Sequence, residues 1–254
     1  MLAASGLGLA VIALFLPRIP QPLSYHNFAD HRGWLGIPNF GDVSSNLPFA
    51  IVGAWGMAWL FRPGAADFLN ARERLPYLMV FAGLLLTAFG SSYYHLDPDN
   101  ARLVWDRLPI MMVFTSLLAA MIAERFTVGA GLWLMPVLVA LGMASVMQWY
   151  ASELHGAGDL RLYAAVQVYS ALALSIALLL PPRYSRGSDL GVVVGFYAMA
   201  KLLETFDRPI FNLLGGMVSG HTLKHLAATL AGYWILRMLQ KRTPVRNSLG
   251  VSPG

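Results

Sequence analysis

Cysteine is absent from the sequence. Disulfides and thiolate metal ligands are excluded with it, so a metal would have to be held by imidazole, carboxylate, hydroxyl or water. Charge is nearly as scarce. Lys, Arg, Asp and Glu make up 12% of the residues, about half their share in an ordinary soluble domain. Apolar residues make up 57%, which leaves too little polar surface to cover a globule in water. A lipid bilayer is the solvent that suits such a chain. Also lacking are an internal repeat and any Lys/Arg cluster interleaved with aromatics, which a nucleic-acid groove would need. The net charge of +5 is therefore not a sign of a nucleic-acid partner.

What is present is a succession of long apolar stretches. A helix needs about 20 apolar residues to cross the hydrocarbon core. Seven stretches meet or approach that length: 43–61, 76–94, 108–123, 128–150, 162–180, 190–206 and 220–239. A shorter eighth runs over 2–16. It lacks a basic leading region, and Pro17-Arg18-Ile19-Pro20 is a poor cleavage site, so a retained helix is preferred over a signal peptide. The expected fold is all-α, a polytopic membrane helix bundle. Residues 1–41 form a hydrophobic helix and a polar loop, 42–240 a seven-span domain, and 241–254 a disordered cytoplasmic tail rich in Pro, Gly and polar residues.

The basic residues are placed unevenly. With seven alternating spans, one end carries ten basic residues (among them Arg62, Arg72, Arg74, Arg125, Arg183 and Arg242) against four acidic ones, a net +6. The other end carries eight basic and nine acidic residues, a net −1. The basic end is expected in the cytoplasm, with the C-terminus.

Ionisable groups inside apolar stretches are costly and usually functional. His95 closes the second stretch, and Ser91 precedes it by four residues, on the same helical face. Asp106 opens the third. His221 and His225, spaced i and i+4 at the start of the seventh, present both imidazoles on one side. Because spans alternate in direction, all of these reach the same depth, at the end away from the basic loops. Three imidazoles with a carboxylate and a hydroxyl nearby suit Zn²⁺ with one coordination position left open. Two histidines on one face of one helix cannot clasp a haem from both sides. A di-iron centre would want more carboxylates. The remaining alternatives are histidines that only hydrogen-bond between helices and Ser91 activated by His95 as a base, which leaves the second pair unexplained.

This constellation, Ser91-x3-His95, Asp106 eleven residues on, then His221-x3-His225, resembles that of the alkaline ceramidase family. That family belongs to the CREST superfamily of seven-span membrane hydrolases. Asp106-Arg107-Leu108-Pro109 is similar to the family's acidic-x-Leu-Pro signature. The resemblance covers residues 40 to 240. It implies His95, His221 and His225 as zinc ligands, with Ser91 and Asp106 as the catalytic residues flanking the metal. It also implies hydrolysis of the ceramide amide to a fatty acid and a sphingoid base, with a membrane lipid as substrate. By the same resemblance the acidic loop before the first core span would bind calcium, here through Asp30, Asn39 and Asp42. The sequence departs from the family there, with no Glu in the loop and Asn39 about where an acid is expected. The simpler reading, which is preferred, has Asp42 or Ser44 capping the next helix and Gly36-Ile37-Pro38-Asn39 forming a turn.

His26, His31 and His155 are expected at the surface. Tyr94, Trp105, Trp149 and Tyr150 suit a membrane interface. Lys201, Glu204 and Asp207 recur as a polar stripe in the sixth stretch. Lys224, one position off the histidine face, is a partner for Glu204 or Asp207 across helices. Beside the ceramide amidase stand a hydrolase of another acyl lipid, such as an N-acyl amino acid or an ester, a receptor-like CREST member with little hydrolysis, and an ion-binding transporter. The chain shows almost no separate ligand-binding domain for the receptor, and no repeat-related broken helices for the transporter.

Overall fold

The computed structural model describes residues 15–65 and 67–245. Regular structure there is helical, with no β-strand and two isolated bridges among the described residues. In chain order the helices are α1 (Phe40–Ser44), α2 (Leu47–Leu60), α3 (Arg74–Leu96), α4 (Asn100–Arg125), α5 (Val128–Leu154), α6 (Arg161–Ala177), α7 (Asp189–Thr205), α8 (Asp207–Leu213) and α9 (Gly220–Lys241). Side chains start three of the longer ones. Asp99 accepts from Arg102 N at 2.7 Å, Thr127 from Ala130 N at 3.1 Å, and Ser219 from Thr222 N at 2.9 Å. Each supplies an acceptor for an amide that the helix itself leaves unpaired.

Each of the seven apolar stretches is helical, with altered limits. The first is broken at Ser45 into α1 and α2. The sixth ends at Thr205, and Asp207 opens the separate helix α8, so the expected stripe of Lys201, Glu204 and Asp207 is split between two helices. Among the described residues, three segments are long and apolar enough to cross a membrane: Ala71–Leu96, Asn100–Arg125 and Val128–Leu154. Arg161–Ala177 is apolar but shorter. The outward faces are apolar as well. Val128–Leu154 has the highest mean hydropathy of the three, 1.9, yet only 22% of its most apolar window is buried within the protein. Trp133, Val137 and Leu141 point outward from it. Such a face is unfavourable in water and favourable in lipid.

The core runs the length of the bundle, through Phe81 and Leu84 of α3, Leu117 and Met121 of α4, Leu174 of α6, Val193 of α7 and Leu236 of α9. At the basic end a buried polar knot closes it. Arg242 forms an ion pair with Glu124, and Tyr77 Oη donates to Glu124 at 2.5 Å. Tyr184 Oη donates to Glu73 at 2.6 Å, and the Arg242 guanidinium lies 4.1 Å from the Tyr184 ring centroid. This knot moves the tail boundary. Residues 242–245 are ordered, with Ser185 N donating to Thr243 O and Val245 N to Arg183 O. Residues 246–254 lie outside the described residues, as does nearly all of the first hydrophobic stretch.

Candidate metal centre

α3 and α9 run antiparallel, so the last turn of α3 meets the first turns of α9. His95, His221 and His225 are buried there, and their ligand nitrogens all lie within 4.8 Å of one another. His95 Nε2 and His221 Nε2 are 3.2 Å apart. Two nitrogens at tetrahedral zinc, each about 2.0–2.1 Å from the ion, are separated by about 3.3 Å. His225 Nε2 is buried there without a protein partner. A buried nitrogen left unpaired is unfavourable unless something outside the protein satisfies it. The three imidazoles therefore form a group that can bind a metal ion.

His225 is oriented from the break between α1 and α2. Ser45 Oγ donates to Asp42 O at 3.1 Å and lies 2.8 Å from His225 Nδ1. With the hydroxyl hydrogen on that carbonyl, Nδ1 carries the ring hydrogen and Nε2 keeps its lone pair. The Asp42 side chain does not cap a helix. It reaches α9, where Oδ1 accepts from Thr222 Oγ1 at 2.8 Å and from Ser219 Oγ at 3.1 Å. His221 is held through its backbone, as its N–H donates to Asp207 Oδ1 at 2.8 Å. The other Asp207 oxygen accepts from Ala29 N at 2.8 Å, which ties the N-terminal loop across the site. Phe28 is thereby laid on the imidazoles, its centroid 4.7 Å from His95 and 4.4 Å from His221.

Asp106 arrives from α4. Pro109, one turn later, has no N–H for the Trp105 carbonyl. That carbonyl faces Gly90 of α3, where a Cβ would meet it at 2.0 Å. Only glycine allows the two helices so close. The next residues along, Ser91 and Asp106, are buried, and the Ser91 hydroxyl lies by the Asp106 carboxylate. Both open with His225 onto a cavity of ≈ 290 Å³. Its walls grade from polar to apolar in one direction. Ser91 gives way to Leu84 on α3, Asp106 to Leu117 on α4, Glu204 to Val193 on α7, and His225 to Ile235 on α9. From Asp106 to Leu117 the gradient extends about 16 Å at helical rise.

The structure thus brings together His95, His221 and His225, with Ser91 and Asp106 on the adjoining cavity wall. It does not gather Asp30, Asn39 and Asp42 into an oxygen cage. Both Asp30 oxygens are engaged by Arg32, at 2.8 Å from Nε and 2.7 Å from Nη2, and this guanidinium holds the carboxyl below its ordinary range. Asn39 Nδ2 donates to His95 O at 2.8 Å. The loop turns twice: Leu35 and Gly36, both at positive φ, close a turn between Trp34 and Ile37, and Pro38 and Asn39 form the expected turn just before α1. His31 and His155 are exposed, but His26 is a bridge: Nδ1 lies 2.8 Å from Tyr94 Oη and Nε2 2.9 Å from Asn100 Oδ1. Tyr94 and Trp149 are fully buried, so neither is an interface residue. Lys224 does pair with Glu204, at 3.2 Å, and Glu204 also pairs with Lys201. Lys224 Nζ lies 3.1 Å from His221 Nε2, so an ion there would displace the ammonium towards Glu204.

Ser45, Asp207 and Phe28 carry no metal-site signal in the sequence, and Asp42 is marked there for the calcium loop and not for the histidine site. Their contacts join segments well over a hundred residues apart, and no local spacing marks them. No protein-family model matches the chain, and no curated protein is significantly similar to it.

Proposed function

We propose that this protein is an integral-membrane, zinc-dependent amidase that cleaves the N-acyl bond of ceramide-like lipids, releasing a fatty acid and a sphingoid base. The observation that carries the reading is the buried trio of imidazoles, with His225 Nε2 lacking a protein partner, beside a cavity that starts at Ser91 and Asp106 and becomes apolar with depth. The similarity of this five-residue constellation to that of the alkaline ceramidases supplies the reaction. In this reading seven helices cross the membrane, the basic end is cytoplasmic, and the metal centre lies towards the other side.

His95, His221 and His225 would hold the ion. When bound, zinc supplies Lewis acidity, polarising a carbonyl and acidifying water. The acyl chain lies along the apolar wall and brings the amide to the level of Ser91. The Asp106 carboxylate takes a proton from the attacking water as the C–O bond forms, and returns it to the nitrogen as the C–N bond breaks. The Ser91 hydroxyl donates to the oxygen on which negative charge develops. Phe28 covers the imidazoles and limits solvent entry from the loop side.

The test is hydrolysis of a fluorescent N-acyl sphingosine by detergent-solubilised protein. Activity should vanish on chelation and return with added Zn²⁺, and Asp106→Asn should be inactive while keeping its zinc. Chelator-resistant turnover, or a fully active Asp106→Asn, would refute the mechanism.

A further inference from the structure

Arg107 is a buried cation without a counter-charge. It is 5% exposed, and no carboxylate forms an ion pair with it among the described residues. Asp106, its neighbour in the chain, is turned to Ser91. One Arg107 nitrogen, Nη2, donates to Gln21 Oε1 at 2.5 Å, while Nη1 is buried with no partner. Aromatic rings surround the guanidinium, with Trp149 at 4.1 Å, Tyr163 at 4.6 Å and Tyr25 at 5.6 Å. Ring faces offset part of the cost of burying the charge. The Tyr25 hydroxyl also reaches the guanidinium, yet Nη1 stays without a partner, and a cation out of water calls for an anion.

The guanidinium also belongs to the cavity. Arg107 lines it together with Asp106, Lys201, Glu204 and Lys224, a set with one more positive charge than negative. Both lysines are committed to Glu204. Arg107 is therefore the cation with a donor to spare, and it stands at the polar end of the polarity gradient, level with the metal centre.

We infer that Arg107 binds an anionic group, a carboxylate or a phosphate, carried by the amine side of the scissile amide. This rests on the amidase reading and departs from neutral ceramide as its preferred lipid: the preferred substrate is an acylated amine bearing negative charge. With the acyl chain in the apolar part of the cavity, the headgroup is what remains at the level of Arg107. A guanidinium offers two nitrogens in one plane to such an anion, which a single ammonium does not. The bound anion would complete the charge balance that Gln21 and the rings leave open.

Binding separates this inference from catalysis. N-oleoylglycine, N-oleoyl-phosphoethanolamine and neutral N-oleoylethanolamine share one acyl chain and differ in headgroup. Each is titrated calorimetrically into metal-free protein in detergent, and each is also offered to the zinc-loaded protein for hydrolysis. One or both anionic lipids should bind about ten- to a hundred-fold more tightly than the neutral one, the range of one charge-assisted hydrogen bond. The carboxylate and phosphate arms identify which anion is preferred. Arg107→Gln should erase the preference, and Arg107→Lys should keep part of it. Equal binding of all three lipids by the unaltered protein overturns the inference, and that result does not depend on any variant folding. So does a preference that survives in Arg107→Gln. Hydrolysis without anion preference would leave the amidase standing and remove this inference, whereas anion-selective binding without hydrolysis would do the reverse.

Discussion

Replacing Gly90 with Ala should disable the site without touching a ligand. The added Cβ would lie 2.0 Å from the Trp105 carbonyl oxygen and 2.8 Å from its carbon. Both are backbone atoms and cannot swing aside. To reach ordinary contact near 3.4 Å, α4 must retreat by about 1.4 Å. The retreat carries Asp106, the next residue, away from Ser91. Misplacing reacting groups by about 1 Å can cost about 10²-fold in rate, and overpacking at a helix contact costs about 1–3 kcal/mol. Turnover of an N-acyl lipid in Gly90→Ala should therefore fall about a hundred-fold, with a modest drop in melting temperature. Metal content should stay at the unaltered level, because the three imidazoles proposed to hold the ion lie on α3 and α9. Gly129→Ala is the control, since nothing lies within 4 Å of its added Cβ. Wild-type turnover in Gly90→Ala would refute the claim that this contact positions Asp106, and complete loss of zinc would show that it holds the metal centre instead.

Other consequences are equally direct. Ser45→Ala removes the partner of His225 Nδ1. Zinc affinity, measured by competition with a chelating dye, should weaken about 10- to 100-fold, as is usual when the outer partner of a metal-binding imidazole is lost. Arg242→Gln leaves Glu124 buried without its cation and should cost about 3–5 kcal/mol in detergent unfolding, with zinc content unchanged. Asp30 is held below its ordinary range by Arg32, so its stabilising contribution is present above the unfolded-state value of about 3.9 and lost as pH falls through the lower folded-state value. The melting temperature of the unaltered protein should exceed that of Asp30→Asn by a constant margin above about pH 5, and the margin should close in stronger acid.

Much of the helical layout can be read from the sequence, because apolar runs of this length admit little else. The i, i+4 pair at His221 and His225, and the alternation that brings His95 level with them, also follow from chain order alone. Tertiary contacts decided the rest. Asp42 has the residue type of a helix cap, yet hydroxyls on α9 take its carboxylate. Leu35 adopts positive φ in the Trp34–Ile37 turn, a conformation its side chain disfavours, so local turn chemistry marks Gly36–Asn39 but misses the residue where the loop first turns. Arg242 reads as the start of a polar tail until Glu124, more than a hundred residues away, claims it. His26 is equally opaque, since Tyr94 and Asn100 hold it from distant positions.

The most direct test of the metal centre is a count of metal per chain. The unaltered protein, purified without added metal, and the His95→Ala, His221→Ala and His225→Ala variants would be measured by inductively coupled plasma mass spectrometry. One zinc per unaltered chain and a large loss in each variant are expected. An unaltered protein without zinc, or variants that retain it in full, would contradict the central claim that these three imidazoles form a zinc site.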